Sequence, residues 1–299
     1  MPETRHTFSR HVAPFAPLAL ALLMSRAVLP PREGKLEETE TPTAAAAVKC
    51  DDVVDFLDCH GRYPTGCSKS GGYDPYLNLL KNQLVPPPSV LTGLEFLTSL
   101  KDYKNLDRGT PKELGKKNHG DLKDQLAKLG EGRMFGVVGY LYYAKKTGAE
   151  SSNCQLDSTD AEGTNVDYHI GIGFEPGIAQ HLRTHQGLSD DERKSLTQDS
   201  VIVEMTPHYR YRYGGEKWAI DALRKVVGRQ VRVIGQLIVD SEHNVPSQNC
   251  AIASTDKERL SCWRASAWEL HPVAGFQVCK QDLCSQNSSD WIELDAATK

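Results

Sequence analysis

The ten residues 165–174, NVDYHIGIGF, alternate strictly between apolar side chains and polar or glycine positions. An apolar residue at every second position is the pattern of a β-strand with one buried face. The other face carries Asp167 and His169, followed by Gly171 and Gly173. The pattern therefore predicts a half-buried strand whose exposed face presents a carboxylate beside an imidazole. The two glycines, which have no side chains, are expected to leave space next to this pair.

Four other segments have the composition of strands, and one has the period of an amphipathic helix. The strand segments are RMFGVVGYLYYAKK (133–146), SVIVEMTP (200–207), RQVRVIGQLIVD (229–240), and WRASAWELHPV with FQVC (263–279). The helical segment, GEKWAIDALRKVVG (215–228), ends at a glycine. Three strands, a helix and two strands is the element order of an OB-fold, a five-stranded Greek-key barrel. Glycines inside the first and fourth strands fit the bends of a small barrel. We therefore predict an α+β protein with an OB-fold-like, five-stranded antiparallel barrel.

The barrel is predicted to span residues 133–284, preceded by a helical N-terminal extension with a cysteine-rich loop over 50–132. Leucines recur at helical spacing in three segments of this extension. They are DPYLNLLKNQL (74–84), SVLTGLEFLTSLKDYKNL (89–106) and HGDLKDQLAKLGEG (119–132). Residues 285–299 are predicted to form a C-terminal tail.

The N-terminus has the features of an export signal. Basic residues precede an apolar run over 12–24, and Ser25 and Ala27 supply the small side chains of a cleavage site. We predict a signal peptide over 1–27, with a short membrane anchor or a disordered arm as alternatives. A disordered linker rich in Pro, Glu, Thr and Ala is predicted over 28–49. No other segment has the length of a transmembrane helix, so we expect a secreted, periplasmic or cell-envelope protein.

Eight cysteines follow the predicted cleavage site, and their even number predicts disulfides in an oxidising compartment. They are Cys50, Cys59, Cys67, Cys154, Cys250, Cys262, Cys279 and Cys284. Short loops closed by Cys59 with Cys67 and by Cys279 with Cys284 fit the spacing, although sequence alone does not fix connectivity. Structural zinc is the alternative, and the absence of any C-x-x-C spacing disfavours it.

Overall charge disfavours polyanions as partners. The formal net charge is -4 and the pI is near 6.2, so the chain lacks the basic field that drives nonspecific nucleic-acid binding. The run HYRYRY (208–213) interleaves aromatic residues with arginines, as a single-strand or anionic-sugar platform does, but a solvated loop is the simpler interpretation. Predicted partners are a small ligand, a glycan or another envelope component, with nucleic acid disfavoured.

Carboxylates and histidines recur at or just after four of the predicted strands. The eight candidate ligand-binding or metal-binding residues are Asp167, His169, Glu204, His208, Glu242, His243, Glu269 and His271. In a D-x-H or E-x-H pair, both side chains leave the same face of the strand. An OB barrel binds ligands over strands two and three, between the loops that join strands one to two and four to five. Both loops are long here, spanning 146–164 and 240–262, and each contains a cysteine that could pin it.

Imidazole and carboxylate groups are ligands that zinc, manganese or iron accepts, with a water left for hydrolysis. One histidine could instead be a general base oriented by its acidic neighbour. No strict motif such as H-E-x-x-H is present. The alternative is a solvated sheet face on which Asp and His only bridge strands. The sequence thus predicts an exported OB-like binding or interaction module of unknown ligand, or alternatively a metal-assisted hydrolase with a divalent metal as cofactor.

Five strings of the sequence resemble a family of uncharacterised secreted bacterial proteins. The strings are VVGYLYYAKKTGAESSNC, DYHI, VIVEMTPHYR, VRVIGQLIVDSEH and WELHPV. That family shares G-Y-L, D-x-H, V-E-M-T-P and W-E-[IL]-H-P-V strand motifs. The resemblance covers roughly Leu77 to Cys279 and implies that these segments form one unit, and it implies no activity.

Overall fold

The computed structural model describes residues 47–87, 93–157, 163–185 and 187–299. Its strands are β1 (Glu95–Leu97), β2 (Met134–Lys146), β3 (Tyr168–Gly173), β4 (Val201–Met205), β5 (Gln230–Val239), β6 (Trp268–Cys279) and β7 (Trp291–Glu293). Its α-helices are α1 (Phe56–Arg62), α2 (Pro75–Lys81), α3 (Leu100–Gly109), α4 (Lys123–Lys128), α5 (Pro176–Thr184), α6 (Asp190–Thr197), α7 (Pro207–Tyr209), α8 (Ile220–Lys225), α9 (Asp256–Ser261) and α10 (Leu294–Ala297). The predicted signal peptide and nearly all of the predicted linker lie outside the described residues.

Strands β2 to β6 form a closed barrel, which confirms the predicted fold class. Their order around the barrel is β2-β3-β4-β6-β5, and β5 pairs again with β2. Helix α8 lies between β4 and β5, as the predicted element order requires. The pairing of β4 with β6 is parallel, so the barrel is mixed and not wholly antiparallel as predicted. Five strands cannot alternate in direction around a closed ring, and one parallel pair is the geometric consequence.

The interior of the barrel is filled by the apolar face of each strand. Tyr168, Ile170 and Ile172 of β3 are buried there together with Val201 and Val203 of β4. This confirms the apolar half of the alternation in residues 165–174. The register between β5 and β6 shifts on both sides of Gly235, which is the bend that the mid-strand glycine predicted.

The N-terminal extension covers the outside of the barrel. In α2, Leu77 and Leu80 pack on Ile238, whose side chain points outward from β5. Residues 95–97 were predicted to be helical, and this prediction was wrong because they form β1, which pairs in parallel with β2. The ring of Phe96 occupies the space above Gly136, where any larger residue would overlap it.

A buried histidine attaches the extension to the end of β5. The ring of His119 is within hydrogen-bonding distance of the Glu131 carboxylate (Nε2 to Oε1, 2.9 Å) and of the Ser241 hydroxyl (3.1 Å). The same carboxylate accepts a hydrogen bond from the backbone N–H of Val239 at 3.0 Å. Because each polar group has a partner, this cluster has a structural explanation and needs no ligand.

All eight cysteines form disulfides, as predicted. The pairs are Cys50–Cys67, Cys59–Cys154, Cys250–Cys262 and Cys279–Cys284. The predicted pairing of Cys59 with Cys67 was wrong, because α1 packs beside the turn at residues 151–153 and brings Cys59 to Cys154. Four disulfides are compatible with an extracellular or periplasmic protein.

No helix in the described ranges has the length and apolarity needed to cross a bilayer. The segment predicted as a C-terminal tail contributes β7, which pairs with β6, and α10 follows it directly. The side chain of Trp291 in β7 packs against the Cys279–Cys284 disulfide. This segment is therefore part of the folded unit.

Candidate functional site

A polar cluster lies on the outer face of the barrel, over β3, β4 and β6. The register pairs His169 of β3 with Lys145 of β2 and with Glu204 of β4. Directly paired residues share a face, so these three side chains leave the barrel on the same side. Glu269 and His271 of β6 follow on that side. The strand pairing therefore brings five of the eight predicted site residues together, namely Asp167, His169, Glu204, Glu269 and His271.

This face is not solvated, contrary to the prediction. Asp167 and His169 are buried, because α2 and the loops around residues 150 and 240 lie over them. The predicted open room beside them is filled as well. The rings of Tyr143 and Tyr142 occupy the positions that side chains at Gly171 and Gly173 would need. The glycines thus admit tyrosine rings to the sheet surface and do not leave a cavity.

Glu204 is at the centre of the cluster. Its Oε1 lies 2.6 Å from Nε2 of His169, and its Oε2 lies 3.5 Å from Nδ1 of His271. On the far side of His271, Nε2 is 3.8 Å from Oδ2 of Asp167. Among the described residues, neither oxygen of Glu204 nor Nε2 of His169 or His271 has a well-oriented hydrogen-bond partner. Buried polar atoms that converge without hydrogen bonds call for a proton, a water molecule or an ion between them.

A buried ion pair bounds one side of the cluster. The guanidinium of Arg264 donates to Oε2 of Glu269, and its Nε donates to the carbonyl of Ser266 at 2.7 Å. The other oxygen of Glu269 lies 3.0 Å from Nδ1 of His271. Burial alone would raise the pKa of Glu269, but Arg264 and His271 hold this pKa at about 2. Arg264 therefore fixes the charge and the position of Glu269.

A second ion pair bounds the opposite side. Nζ of Lys81, at the end of α2, donates to Asp240 at 2.9 Å and to Glu150 at 3.3 Å. Burial would raise the pKa of Asp240, but the Lys81 ammonium holds it well below its usual range. The second oxygen of Glu150 points toward the cluster and lies 3.9 Å from Nε2 of His169.

Lys81, Glu150 and Arg264 were missed by the sequence analysis. Glu150 and Arg264 lie in loops, and Lys81 ends a helix, so no strand periodicity marks them. Two disulfides position the loops: Cys154 fixes the segment that carries Glu150, and Cys262 lies two residues before Arg264. The prediction that cysteines pin both long loops is confirmed, and it was the one sequence signal for these residues.

The charges within the cluster do not balance. Its carboxylates are Glu150, Asp167, Glu204, Asp240 and Glu269, and its cations are Lys81, Arg264 and protonated His271. When every carboxylate is ionised, five negative charges face these three positive charges, and the Lys145 ammonium at the edge of the cluster is a fourth. Burying such an excess is costly unless protons or a cation neutralise it. A bound cation would neutralise the remaining negative charge.

The pKa values describe how the cluster neutralises itself without a cation. Burial raises the pKa of Glu204 well above its usual range, and the charge on Glu269 raises it further. Burial and neighbouring charge raise the pKa of Asp167 to about 6. Burial lowers the pKa of His169 to about 4, whereas carboxylates raise that of His271 to about 9 against the effect of burial. At neutral pH, His169 is the neutral imidazole and His271 is cationic.

Three overlapping groups have ligand atoms within 4.8 Å of one another. They are Glu150 with His169 and Glu204, Asp167 with Glu204 and His271, and Glu204 with Asp240 and Glu269. Glu204 belongs to all three groups. Nitrogen and oxygen donors of this kind suit zinc or manganese, and a neutral histidine is the form that binds a metal. The first group contains that histidine and reaches solvent through Glu150, whose side chain is 22% exposed.

Three predicted site residues lie outside these groups. His208 is turned away by α7, which begins directly after β4, and its ring stacks on His60 at a centroid distance of 4.3 Å. Glu242 is next to the cluster, and its backbone N–H donates to Asp240 at 2.9 Å. His243 lies at the rim, with Nε2 3.8 Å from Oδ2 of Asp240.

The cluster opens to solvent between aromatic rings. Trp263 stacks on His169 at a centroid distance of 5.9 Å and meets the ring of His243 edge-on at 5.3 Å. The side chain of His169 is 8% exposed and that of His243 is 24% exposed. A ligand can therefore approach from the side of Glu150, His243 and Trp263.

Comparison of the chain with protein-family models, curated proteins and solved structures finds no match. The resemblance to a family of secreted bacterial proteins therefore stays a prediction. The fold and the cluster define an α+β barrel protein that carries a buried histidine–carboxylate site on its outer face.

Proposed function

We propose that the protein is a metal-assisted hydrolase whose divalent ion is held by Glu150, His169 and Glu204. The observation that carries the proposal is the convergence of one ligand atom from each of these residues within 4.8 Å of one another, at a centre where Glu204 and Nε2 of His169 are buried without a hydrogen-bond partner among the described residues. We favour this group over the one with His271, because the side chain of His169 is 8% exposed whereas that of His271 is fully buried. It is also the group nearest solvent, so it leaves a position open for a water molecule.

In this proposal a bound divalent ion would activate a water molecule and polarise the scissile ester. The chain's own residues would orient these groups and move the proton. The ring of His243 at the rim is oriented by Gln248, whose side-chain oxygen accepts a hydrogen bond from Nδ1, and this leaves Nε2 as the nitrogen of a general base. Trp263 stacks on His169 and would limit the access of bulk water to that ring. Lys81 and Arg264 hold Asp240 and Glu269 in place and are positioning residues.

Export belongs to the same proposal. Four disulfides and the predicted signal peptide support a secreted or periplasmic location. A phosphoester or a glycan is the substrate class in keeping with a small ligand or an envelope component as partner.

A binding module without turnover is the second candidate. It is favoured by the small exposure of His169, since a reacting group must reach the centre past Glu150 and His243. In that case the ion would have a structural role and would bind without catalysing hydrolysis. Measurement of turnover separates the two functions.

The test uses protein purified without a histidine tag and treated with a chelator. We expect release of 4-nitrophenolate from at least one of bis(4-nitrophenyl) phosphate, 4-nitrophenyl phosphate and a 4-nitrophenyl glycoside once zinc or manganese is restored. His169→Ala should lose this activity, and Glu242→Gln should keep it as the matched control. No turnover above a metal-only blank with any of these substrates would rule out the hydrolase and leave the binding module.

A further inference from the structure

A groove of about 870 Å³ opens beside the proposed metal centre. Among the described residues that line it, six side chains are basic and one, Asp190, is acidic. The basic residues are Lys145, Arg183, Arg193, Lys194, Arg224 and Lys225. This concentration of positive charge stands out in a chain with a net charge of -4. Neither the barrel nor its core requires it.

Five of the basic residues come from two sets of helices, which we call the two walls of the groove. Arg183, Arg193 and Lys194 come from α5 and α6, and Arg224 and Lys225 come from α8. Tyrosine rings and aliphatic side chains of β2, α5 and the end of α8 provide an apolar surface between them. A ligand that fits has an anionic group for the walls and an apolar or aromatic body for the floor.

Neighbouring carboxylates neutralise this charge only in part. Arg224 lies 3.1 Å from Asp221, and Arg183 lies 3.9 Å from Asp282. All four side chains are more than half exposed, so these ion pairs are screened by solvent. The walls therefore remain available to an anion.

One end of the groove adjoins the cluster. Trp263 lines the groove and also stacks on His169. Lys145 lines the groove as well, is paired with His169 in the sheet, and holds its ammonium 5.3 Å from the centre of the Trp263 ring. A ligand seated in the groove thus lies next to the metal-binding group across a single tryptophan ring.

We propose that this groove binds a phosphate ester, with the phosphate between the two basic walls and the organic body on the apolar floor. Phosphate matches guanidinium and ammonium donors, and its charge complements the groove. One part of this inference, that the ester is the substrate of the neighbouring metal centre, rests on the proposed function. Binding in the groove needs no metal and is measured without one.

The test is calorimetric titration of the full chain in a chelator-containing buffer. The probes are adenosine 5′-monophosphate, glucose 6-phosphate and dioctanoyl phosphatidic acid, with adenosine, glucose, dioctanoylglycerol and inorganic phosphate as their separated halves. We expect at least one ester to bind about tenfold or more tightly than either half, and its affinity to fall as salt is raised. The ester that binds best distinguishes a nucleotide, a sugar phosphate and a lipid headgroup.

Arg193→Ala combined with Lys225→Ala removes one cation from each wall and should weaken ester binding at least tenfold. Lys101→Ala combined with Lys128→Ala removes two exposed lysines of α3 and α4 outside the groove and should leave affinity unchanged. Failure of all three esters to bind, or equal affinity in both double variants, would overturn the inference. If the protein binds metal but none of the esters, the phosphate-ester site is rejected and the metal centre is not. If an ester binds but is not hydrolysed, the hydrolase is rejected and the phosphate-ester site is not.

Discussion

Glu204→Gln is expected to abolish metal binding and turnover while leaving the metal-free protein about as stable as the parent. Without a cation, burial and the Glu269 charge raise the pKa of Glu204 well above its usual range, which favours the neutral carboxyl group. Glutamine has the same shape and no charge, and we expect the free energy of unfolding to change by less than about 1 kcal/mol. The variant lacks the carboxylate that all three metal-binding groups share. Metal affinity should therefore fall by more than about 100-fold, beyond the loss typical of changes to residues outside the metal ligands.

Thermal unfolding with and without zinc or manganese measures both effects. The parent should gain stability on adding metal, and Glu204→Gln should not. Glu242→Gln is the matched control, because Glu242 is also near Asp240 but belongs to none of the metal-binding groups. A Glu204→Gln protein that still gains stability with metal would contradict the assignment. Marked destabilisation in chelator would show that Glu204 is ionised in the metal-free fold.

Arg264→Met is expected to destabilise the fold by about 3–5 kcal/mol, because it leaves a buried carboxylate without its partner. Arg264 and Glu269 are fully buried, and the guanidinium contacts Glu269 directly. Adding Glu269→Gln to this variant removes the unpaired charge and should recover a large part of the loss. Each single change and the double change together form a cycle that isolates the pair.

Urea unfolding of the parent, the two single variants and the double variant measures this cycle. Repeating the measurements at lower pH tests whether the contribution of the ion pair to stability changes in the expected direction. Glu269 has its pKa lowered to about 2 in the folded parent, so the ion pair contributes stability above pH 4.5 that is lost as pH falls toward 2. The difference between parent and Arg264→Met should therefore shrink in acid. A loss below about 1 kcal/mol near neutral pH would show that water reaches Glu269.

The barrel and the central residues of the site could be predicted because both follow from the alternation of side chains along the strands. Alternation in residues 165–174 identified which side chains leave together, and pairing with β4 then placed His169 beside Glu204. The same periodicity identified Glu269 and His271 on β6. These residues are near one another because hydrogen-bonded strands place side chains in rows.

The burial of the site could not be predicted, since it depends on segments remote in sequence. Lys81 reaches the cluster from α2, and Glu150 and Arg264 reach it from loops. A strand pattern reports which face is less apolar and does not report what covers that face. The separation of His208 from the cluster has a similar cause, because α7 turns the chain after β4.

The central claim, that the cluster is a divalent-metal centre, is tested most directly by calorimetric titration of zinc or manganese into untagged, chelator-treated protein. We predict one tightly bound ion per chain, released protons, and an affinity that rises with pH, because Glu204 must lose its proton before it binds metal. His169→Ala and Glu204→Gln should each remove this binding. No saturable binding in the parent, or the same binding in both variants, would contradict the account.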